Sequence, residues 1–484
     1  MASRAPGERP LHALILAAGQ GKRMRSGRIK LLHKVGGAPL VCHVARAAAA
    51  LRPASLAAVV GNQGDEVAAA LAAYAPQLVR QETRLGTAHA VLQAEPLLKG
   101  RRGDLLILNG DVPLIRPSTL RALVRRHRST GSAATVLTTR VDDPAGYGRI
   151  VRGADGSFEA IVEDRDATTS QKAISEINAG LYCADLSRLW GALRKTGRSN
   201  RQGEYYLPDL FPLLRKAGHR VETLVYEDAP EVLGVNDRAE LAQAGKALYR
   251  RQAEALMEAG VTILDPDCTY IEPDVTVGCD TIIHPLARLE GRTRVGEGCV
   301  IGALCHLVDT TLADGVTLLD MCVLTESTVG PGAKIGPFSH LRPGSVLEAG
   351  VHIGNFVETK KSRLGKGSKA NHLSYLGDAQ IGEGCNIGAG TITCNYDGYA
   401  KHTTVLEDEV FIGSDTQLVA PVTIRKGAYV GAGSTITKEV PEYSLALTRA
   451  ELRILKDWVR RRQAERAAAS AQAAPVAAAR KSRG

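Results

Sequence analysis

Residues 271–307 read IEPDVT VGCDTI IHPLAR LEGRTR VGEGCV IGALCH L, so that an aliphatic residue opens every group of six. The spacing returns over 323–353 and 412–436, and Ile381 and Ile387 form a shorter pair. Such hexads are typical of a parallel β-helix, in which each hexad forms one face of a three-sided coil and stacked coils bury an aliphatic column. An antiparallel barrel would show a period of two instead.

The count of six breaks at 313–319 and at 358–379. Insertions in a solenoid leave as loops, and loops often carry function. The second break holds Lys360, Lys361 and three further basic residues beside His372. A charge run is usually a solvated face, but on a rigid solenoid it would attract an anionic sugar phosphate. A histidine there can take a proton from an amine near neutral pH.

The first half of the chain has a different pattern. Short apolar runs at 14–18, 57–60 and 105–108 alternate with alanine-rich stretches that permit helices. This alternation predicts a doubly wound α/β sheet. Arg238–Glu258 contains no proline and one glycine, and we expect it to form a helix connecting the sheet to the hexads.

Composition narrows the class of protein. The chain has 484 residues and a net charge of +10, but the segment 460–484 carries seven basic residues against Glu465 alone. A nucleic-acid-binding interpretation rests only on this tail, so we expect no nucleic-acid partner. We expect a helix at 451–462 and disorder beyond it. No apolar run reaches the roughly 20 residues of a membrane span. Scattered cysteines without a C-x-x-C pair favour a reduced compartment, and with no targeting segment recognised we expect the cytoplasm.

A glycine-rich turn follows the first apolar run, in Leu16-Ala-Ala-Gly-Gln-Gly-Lys-Arg-Met24. Such a turn lets backbone N–H groups approach a phosphate chain, and Lys22 and Arg23 add positive charge. Asp111 stands just beyond the run 105–108, where a carboxylate suits a site at the carboxyl edge of a sheet. Magnesium prefers oxygen ligands. A turn residue before Val-Pro is the alternative for Asp111.

The motifs occur in the order found in one known family. They cover residues 14–449 and include L-x-A-G-x-G-x-R-M at 16–24, LGTAH at 85–89, NGDVP at 109–113, GYGRI at 146–150, INAG at 177–180, GEYY at 203–206 and GVN at 234–236. The chain thereby resembles the bacterial bifunctional N-acetylglucosamine-1-phosphate uridyltransferase/glucosamine-1-phosphate acetyltransferases. The resemblance implies a Rossmann-like mixed sheet, a left-handed β-helix, a homotrimer, and the small-molecule substrates UTP, acetyl-CoA and sugar 1-phosphates.

For the first half, the resemblance implies that Arg23 and Lys30 are catalytic and that Asp111 and Asn236 bind Mg²⁺. It further implies contacts to UTP or the sugar nucleotide from Leu16, Ala17, Ala18, Gly19, Lys30, Gln81, Gly86, Thr87, Asn109, Gly148, Glu163, Asn178 and Asn236. Ile29 stands where many relatives have proline, and Asn109 replaces an aromatic or small residue.

For the second half, the resemblance implies that His372 is the general base of acetyl transfer. Arg342 and Lys360 would hold the phosphate of glucosamine-1-phosphate, and Tyr375 and Asn386 its sugar. The implied acetyl-CoA contacts are Ala389, Asn395, Tyr396, Ser414, Ala432 and Arg449. Cys394 is a weak candidate nucleophile, because no activating base is evident beyond His372. Asn371 stands where some relatives have glycine.

These implications divide the chain into a uridyltransferase domain (1–238), a linker helix (239–260), an acetyltransferase β-helix (261–449) and a C-terminal helix with a basic tail (450–484). One alternative is a pyrophosphorylase of another sugar nucleotide with a purely structural β-helix. The set Arg342, Lys360, His372 and Tyr375 disfavours it. The other is a non-catalytic scaffold, which the presence of Lys30, Asp111, Asn236 and His372 disfavours.

Overall fold

The computed structural model describes residues 9–19, 21–61 and 64–481. The chain divides into two compact units, Met1–Gly332 and Ala333–Gly484.

The first unit begins with an α/β layer. Its strands are β1 (Leu11–Ala17), β2 (Lys34–Val35), β3 (Ala38–Pro39), β4 (Ser55–Val60), β5 (Gln77–Arg80), β6 (Asp104–Asn109), β7 (Ala134–Arg140), β8 (Arg149–Arg152), β9 (Phe158–Val162), β10 (Glu176–Asp185) and β11 (Val221–Tyr226). Its helices are α1 (Leu40–Ala49), α2 (Gly64–Leu71), α3 (Thr87–Gln93), α4 (Glu95–Leu98), α5 (Pro117–Thr130), α6 (Thr169–Lys172), α7 (Leu186–Leu193), α8 (Leu210–Lys216), α9 (Ala229–Val232) and α10 (Arg238–Glu258).

The main sheet has the order β11-β7-β10-β6-β1-β4-β5. β1 runs parallel to β4 and β6, whereas β10 is antiparallel to β6 and β7. The sheet is buried on both faces: Ile15 lies in the core cluster that includes α1 and α5, and Leu14 in the cluster that includes α3, α7 and α8. Burial on both faces explains why the strands read as continuous apolar runs. The predicted Rossmann-like mixed sheet is confirmed.

The helix α10 has the bounds expected from composition. The carboxylate of Asp237 caps its first turn, accepting a hydrogen bond from the backbone N–H of Glu240 at 2.9 Å. Ala244 and Leu248 of the helix pack with Val35 and Leu40 in a separate apolar cluster. The cap matters for the site, because it fixes the chain just beyond Asn236.

Short coil strands follow in the first unit. They are β12 (Thr262–Ile263), β13 (Tyr270–Ile271), β14 (Thr276–Val277), β15 (Ile282–Ile283), β16 (Arg288–Glu290), β17 (Arg294–Val295), β18 (Val300–Ile301), β19 (His306–Val308), β20 (Thr311–Leu312), β21 (Thr317–Leu318), β22 (Val323–Thr325) and β23 (Thr328–Val329). From β12 to β20, each strand pairs in parallel with the third strand after it, as β12 does with β15. This pairing is that of a three-sided parallel β-helix.

The second unit consists of further coils and a terminal helix. Its strands are β24 (Lys334–Ile335), β25 (His340–Leu341), β26 (Val346–Leu347), β27 (His352–Asn355), β28 (Glu358–Lys360), β29 (Arg363–Leu364), β30 (Lys369–His372), β31 (Tyr375–Gly377), β32 (Ala379–Ile381), β33 (Asn386–Ile387), β34 (Ile392–Cys394), β35 (Thr404–Leu406), β36 (Phe411–Ile412), β37 (Gln417–Val419), β38 (Val422–Ile424), β39 (Tyr429–Val430), β40 (Thr435–Ile436) and β41 (Leu445–Ala446). The parallel pairing of every third strand continues within this unit.

The loops expected at the two breaks in the hexad count are absent from the described coils, so that expectation was wrong. The segment 358–379 forms strands, and its inward-facing residues Thr359 and Leu364 are five positions apart. Around the first break, Leu312 and Leu318 are likewise buried in strands, and Leu324 rather than Val323 points inward. Shortening a corner by one residue shifts the count without moving the chain out of the coil.

The chain instead leaves the coil at 395–403, between β34 and β35. Here Tyr396 and Lys401 form an isolated antiparallel bridge. The sequence separation between Ile387 and Ile412 is longer than one coil. This separation could have predicted the loop, but the hexad count did not use it.

The tail also differs from expectation. Residues from Trp458 to Lys481 form one helix, α11, where we expected a shorter helix and then disorder. The reason is the alanine content of the segment, since alanine has the highest helix propensity. The last three residues of the predicted tail, 482–484, lie outside the described residues. Among the residues that the structure describes, no helix is both long and apolar enough to cross a membrane.

Candidate active sites

The first site lies at the carboxyl edge of the main sheet. Leu16 on β1 is the register partner of Asn109 on β6, and the N–H of Gly110 donates to the carbonyl of Leu16 at 3.0 Å. A cavity of about 360 Å³ opens beside these strand ends. The predicted residues that line it are Leu16, Ala18, Gly19, Lys30, Gln81, Gly86, Thr87, Asn109 and Asp111. Ala17 is buried in the core, and sequence reasoning missed Arg84 and Glu204, which also line the cavity.

A lysine joins the two predicted metal ligands. Nζ of Lys30 lies 2.5 Å from Oδ2 of Asp111 and donates to Oδ1 of Asn236 at 3.1 Å. Asn236 is held in place because its N–H donates to Oε2 of Glu240 at 2.5 Å. Carboxylate and amide oxygens are the ligands that Mg²⁺ prefers, and here they converge on a single cation. The donor set therefore fits a magnesium site.

The departure at Ile29 leaves the backbone in a form that suits proline. Its φ is −55°, within the range that a proline ring imposes. Ile29 is buried, and Lys30 begins the 3-10 helix Lys30–Leu32 directly after it. A proline at position 29 would therefore fit the backbone that carries Lys30.

The segment before α3 forms another wall of the cavity. Nε2 of Gln81 donates to the carbonyl of Gly86 at 3.2 Å, and Oγ1 of Thr87 accepts from the N–H of Leu207 at 2.9 Å. Gly86 has a φ of 112°, in the region that favours glycine. A Cβ on Gly86 would also collide with the backbone of Tyr205. The chain needs glycine here for two independent reasons.

The predicted sugar-phosphate residues Gly148, Glu163 and Asn178 lie together. Asn178 donates its N–H to the carbonyl of Gly148 at 2.8 Å, and a Cβ on Gly148 would lie 3.4 Å from Oε1 of Glu163. Nδ2 of Asn178 donates to the hydroxyl of Tyr182 at 2.7 Å. Burial, reinforced by the carboxylate of Asp166, raises the pKa of Glu163 to about 7. The pocket therefore holds a carboxyl group that titrates near neutrality.

Arg23 lies at the edge of this region. It is exposed on the 3-10 helix Lys22–Met24. Its charge acts on the hydroxyl of Tyr147, whose pKa nevertheless rises to about 12, first through burial. The side chain of Lys22, predicted to add charge here, lies outside the described part of the structure.

The second site follows one corner of the β-helix in the second unit. Backbone bonds join successive coils there: the N–H of Asp415 donates to Ala389 at 2.7 Å, and that of Gly433 to Ser414 at 2.8 Å. The residues at this corner each stand two positions after an inward-facing residue, and they are Asn355, His372, Ala389, Ser414 and Ala432. The predicted acetyl-CoA contacts Ala389, Ser414 and Ala432 thus form one row with the predicted base, His372. An extended coenzyme can lie along this row. Nε of Arg449 donates to the carbonyl of Ala432 at 3.2 Å.

His372 is exposed at the end of β30, and not on a loop as the hexad count suggested. Its Nδ1 lies 2.9 Å from Oδ1 of Asn355, the register partner on β27. The hydroxyl of Ser374 donates to the carbonyl of His372 at 2.9 Å. Sequence reasoning missed Asn355, because it precedes the segment that resembled a signature.

A cationic cluster lies on the neighbouring face. Arg342 donates to Oε1 of Glu358 at 2.7 Å, and Tyr375 is the register partner of Glu358. A contact with Lys401, reinforced by the charge of Arg342, lowers the pKa of Lys360. Arg342, Lys360 and Lys401 are thus three cations that lie close together and repel one another. Such a cluster suits a phosphate dianion, which would neutralise this repulsion. Lys401 comes from the loop 395–403, and the break in the hexads at that loop could have revealed it.

The remaining predicted residues lie on the loop 395–403 and on β33. Nδ2 of Asn395 donates to Oδ2 of Asp378 at 2.5 Å, whereas Tyr396 is exposed on the loop. Asn386 on β33 is the register partner of Lys369 on β30, the strand that ends at His372. Burial raises the pKa of the Cys394 thiol, which disfavours the thiolate that a nucleophile requires.

The two architectures and their sites define a nucleotidyltransferase fused to a hexapeptide-repeat acyltransferase. A family of MobA-like NTP transferase domains matches residues 13–192, the GMPPB C-terminal domain matches residues 271–361, and a hexapeptide repeat of succinyl-transferase matches residues 403–438. The predicted fold class, with its left-handed β-helix of hexapeptide repeats, is confirmed.

Curated relatives match nearly the whole chain. The bifunctional protein GlmU of Anaeromyxobacter sp. is 51% identical over 472 residues, which cover 96% of each chain. That of Halalkalibacterium halodurans is 48% identical and covers 90% of this chain and 96% of the relative. That of Carboxydothermus hydrogenoformans is 47% identical and covers 93% and 100%. The chain belongs to the GlmU family, and the prediction of a bifunctional uridyltransferase and acetyltransferase is confirmed.

Proposed function

We propose that the chain first acetylates glucosamine-1-phosphate from acetyl-CoA and then transfers UMP from UTP to the N-acetylglucosamine-1-phosphate formed, releasing pyrophosphate. The observation that carries the uridyl half is the convergence of Lys30, Asp111 and Asn236 beside the glycine-rich turn. The acetyl half is supported by the row that joins His372 to Ala389, Ser414 and Ala432.

In uridyl transfer, a phosphate oxygen of the sugar phosphate attacks the α-phosphorus of UTP. Asp111 and Asn236 would hold Mg²⁺, which neutralises phosphate charge and aligns the reacting groups. Lys30 and Arg23 add positive charge where the phosphate chain lies, while Gln81, Gly86 and Thr87 shape the nucleotide side of the cavity. Gly148, Glu163 and Asn178 receive the sugar. The chain contributes positioning and charge, not a covalent intermediate.

In acetyl transfer, the amine of glucosamine-1-phosphate attacks the thioester carbonyl directly. A C–N bond forms, the C–S bond breaks, and the amine proton passes to His372. Arg342 and Lys360, joined by Lys401, hold the phosphate, while Tyr375 and Asn386 hold the sugar. The coenzyme contacts Ala389, Asn395, Tyr396, Ser414, Ala432 and Arg449. No acyl-enzyme on Cys394 is required.

The assembly we propose is a homotrimer in the cytoplasm, with small-molecule substrates only. Flat solenoid faces support self-association, and hexapeptide repeats are the basis of this proposal. The domain boundaries proposed are 1–238, 239–260, 261–449 and 450–484, with α10 as the linker.

The test is a pair of assays on the full chain. Pyrophosphate release is measured with UTP and N-acetylglucosamine-1-phosphate, and CoA thiol release with acetyl-CoA and glucosamine-1-phosphate. His372→Ala should abolish thiol release and leave pyrophosphate release intact. Acetyl transfer by His372→Ala at the unaltered rate would refute the acetyl half of the proposal. Preference for a different sugar phosphate in the pyrophosphate assay would refute the uridyl half.

A further inference from the structure

We infer that Asn355 is a positioning residue that selects the tautomer of His372, an inference that rests on the proposed role of His372 as the base. Oδ1 of Asn355 lies 2.9 Å from Nδ1 of His372. An amide oxygen can only accept a hydrogen bond, so Nδ1 carries the hydrogen. The lone pair of the neutral ring then resides on Nε2, the nitrogen on the far side of the ring.

The backbone fixes the two side chains relative to each other. Asn355 and His372 are cross-strand partners on β27 and β30, and the N–H of Leu373 donates to the carbonyl of Asn355 at 3.1 Å. Gly354 packs so closely on the backbone of Asn371 that no Cβ fits between them. The coils therefore meet at a fixed spacing at this corner, which keeps the backbones of Asn355 and His372 in register.

The tautomer matters because of where the proton goes. As the amine nitrogen bonds to the thioester carbon, its proton moves to Nε2, and the sulfur leaves with the electrons of the C–S bond as a thiolate that solvent protonates. A ring that carries its hydrogen on Nε2 cannot accept the amine proton. A partner that fixes one ring nitrogen determines which nitrogen reacts.

The neutral partner has a second consequence. A carboxylate at position 355 would select the same tautomer but would also stabilise the imidazolium, which is useless as a base. The charge of His372 acts on His352 of β27, as do those of Lys369 on β30 and Lys334 on β24, and β33 faces β30 with the uncharged Asn386. An amide thus orients the ring without adding negative charge among these groups.

The test compares two substitutions in the full-length protein. Asn355→Leu should lower kcat for acetyl transfer about ten-fold or more, as loss of an orienting partner does, with KM for glucosamine-1-phosphate and uridyl transfer unchanged. Asn355→Asp restores an acceptor, so kcat should recover at high pH. The acidic limb of its kcat/KM profile should move upward by about one pH unit.

Gln380→Leu is the matched control, because it removes an exposed amide from β32 at a distance from the row. Asn355→Asp with the same loss as Asn355→Leu at every pH, or Asn355→Leu with full kcat, would overturn the inference. If Asn355→Leu fails to fold, as shown by loss of the β-sheet signal in circular dichroism and of a cooperative thermal transition, Asn355→Asp alone decides through its pH profile. His372→Ala distinguishes the proposed base from the proposed tautomer selection. If that variant retains acetyl transfer, His372 is not the base. If it loses acetyl transfer while the Asn355 variants are unaffected, only the tautomer selection is refuted.

Discussion

The ammonium group of Lys30 lies 2.5 Å from the carboxylate of Asp111, across a sequence separation of 81 residues. The same ammonium bonds Asn236, 206 residues away. Three segments thus meet at one point, because β1 and β6 are adjacent parallel strands and the cap of α10 fixes the chain beside them. The contact also means that a metal ion at Asp111 and Asn236 would share these oxygens with Lys30.

Asp111→Asn should lower uridyl transfer by about 100-fold or more, because it removes the only carboxylate of the proposed metal site. The variant keeps the size of the side chain, so the fold should persist. Pyrophosphate release at saturating magnesium is the measurement, and unchanged acetyl transfer by the same sample is the control. Uridyl transfer at the level of the original protein would contradict the metal assignment.

Gly86→Ala should destabilise the first unit and abolish uridyl transfer. The φ of 112° at Gly86 and the collision of a Cβ with Tyr205 both oppose a side chain. Together they should lower the free energy of unfolding by more than the roughly 1 kcal/mol expected from backbone strain alone. Gly100→Ala is the matched control, since Gly100 also has a positive φ but a Cβ there meets no atom within 4 Å. The measurement is the decrease in Tm of each variant relative to the original protein. Equal decreases in the two variants would show that the collision with Tyr205 does not contribute.

Glu163→Gln should change how stability depends on pH. Burial raises the pKa of Glu163 to about 7 in the folded protein, so the folded state binds more protons than the unfolded state between roughly pH 4.5 and 7. Stability is therefore lost as pH rises through this window. The variant, neutral at every pH, should gain Tm over the original protein more at pH 8.5 than at pH 5.5.

Glu159→Gln serves as the control for Glu163, because Glu159 is an exposed carboxylate on β9. Its substitution should shift Tm equally at both pH values. The same gain for Glu163→Gln at pH 5.5 and pH 8.5 would show that its carboxyl group does not titrate in this range.

Lys401→Ala should raise KM for glucosamine-1-phosphate about ten-fold and leave KM for acetyl-CoA unchanged. Its ammonium group lies with Lys360 and Arg342 in the cluster that suits a phosphate, and charge-assisted bonds to phosphate contribute more than neutral ones. Lys366→Ala is the matched control, since Lys366 belongs to the basic segment that contains Lys360 but is exposed elsewhere on the coil. Equal effects from the two substitutions would mean that only net charge attracts the substrate.

Local patterns predicted much of the fold. Inward-facing residues every six positions identified the β-helix, because each coil repeats the same local geometry. Composition gave α10 its bounds, since helix propensity accumulates over a long segment. The hexad count wrongly predicted a loop at 358–379. Inward-facing residues there, such as Thr359 and Ala370, are polar or small, so the pattern of aliphatic residues does not reveal a corner that is one residue shorter.

The sequence by itself determined the fold of each half, the order of the motifs and, through resemblance, the residues of both sites. Only the tertiary structure decided which side chains meet. It joined Lys30 to Asp111 and Asn236, aligned His372 with Asn355 and Ala389 along one corner, and brought Lys401 to Lys360. The physical reason is that periodicity records which side of a strand or coil a residue faces, whereas the pairing of distant strands determines which residues are neighbours.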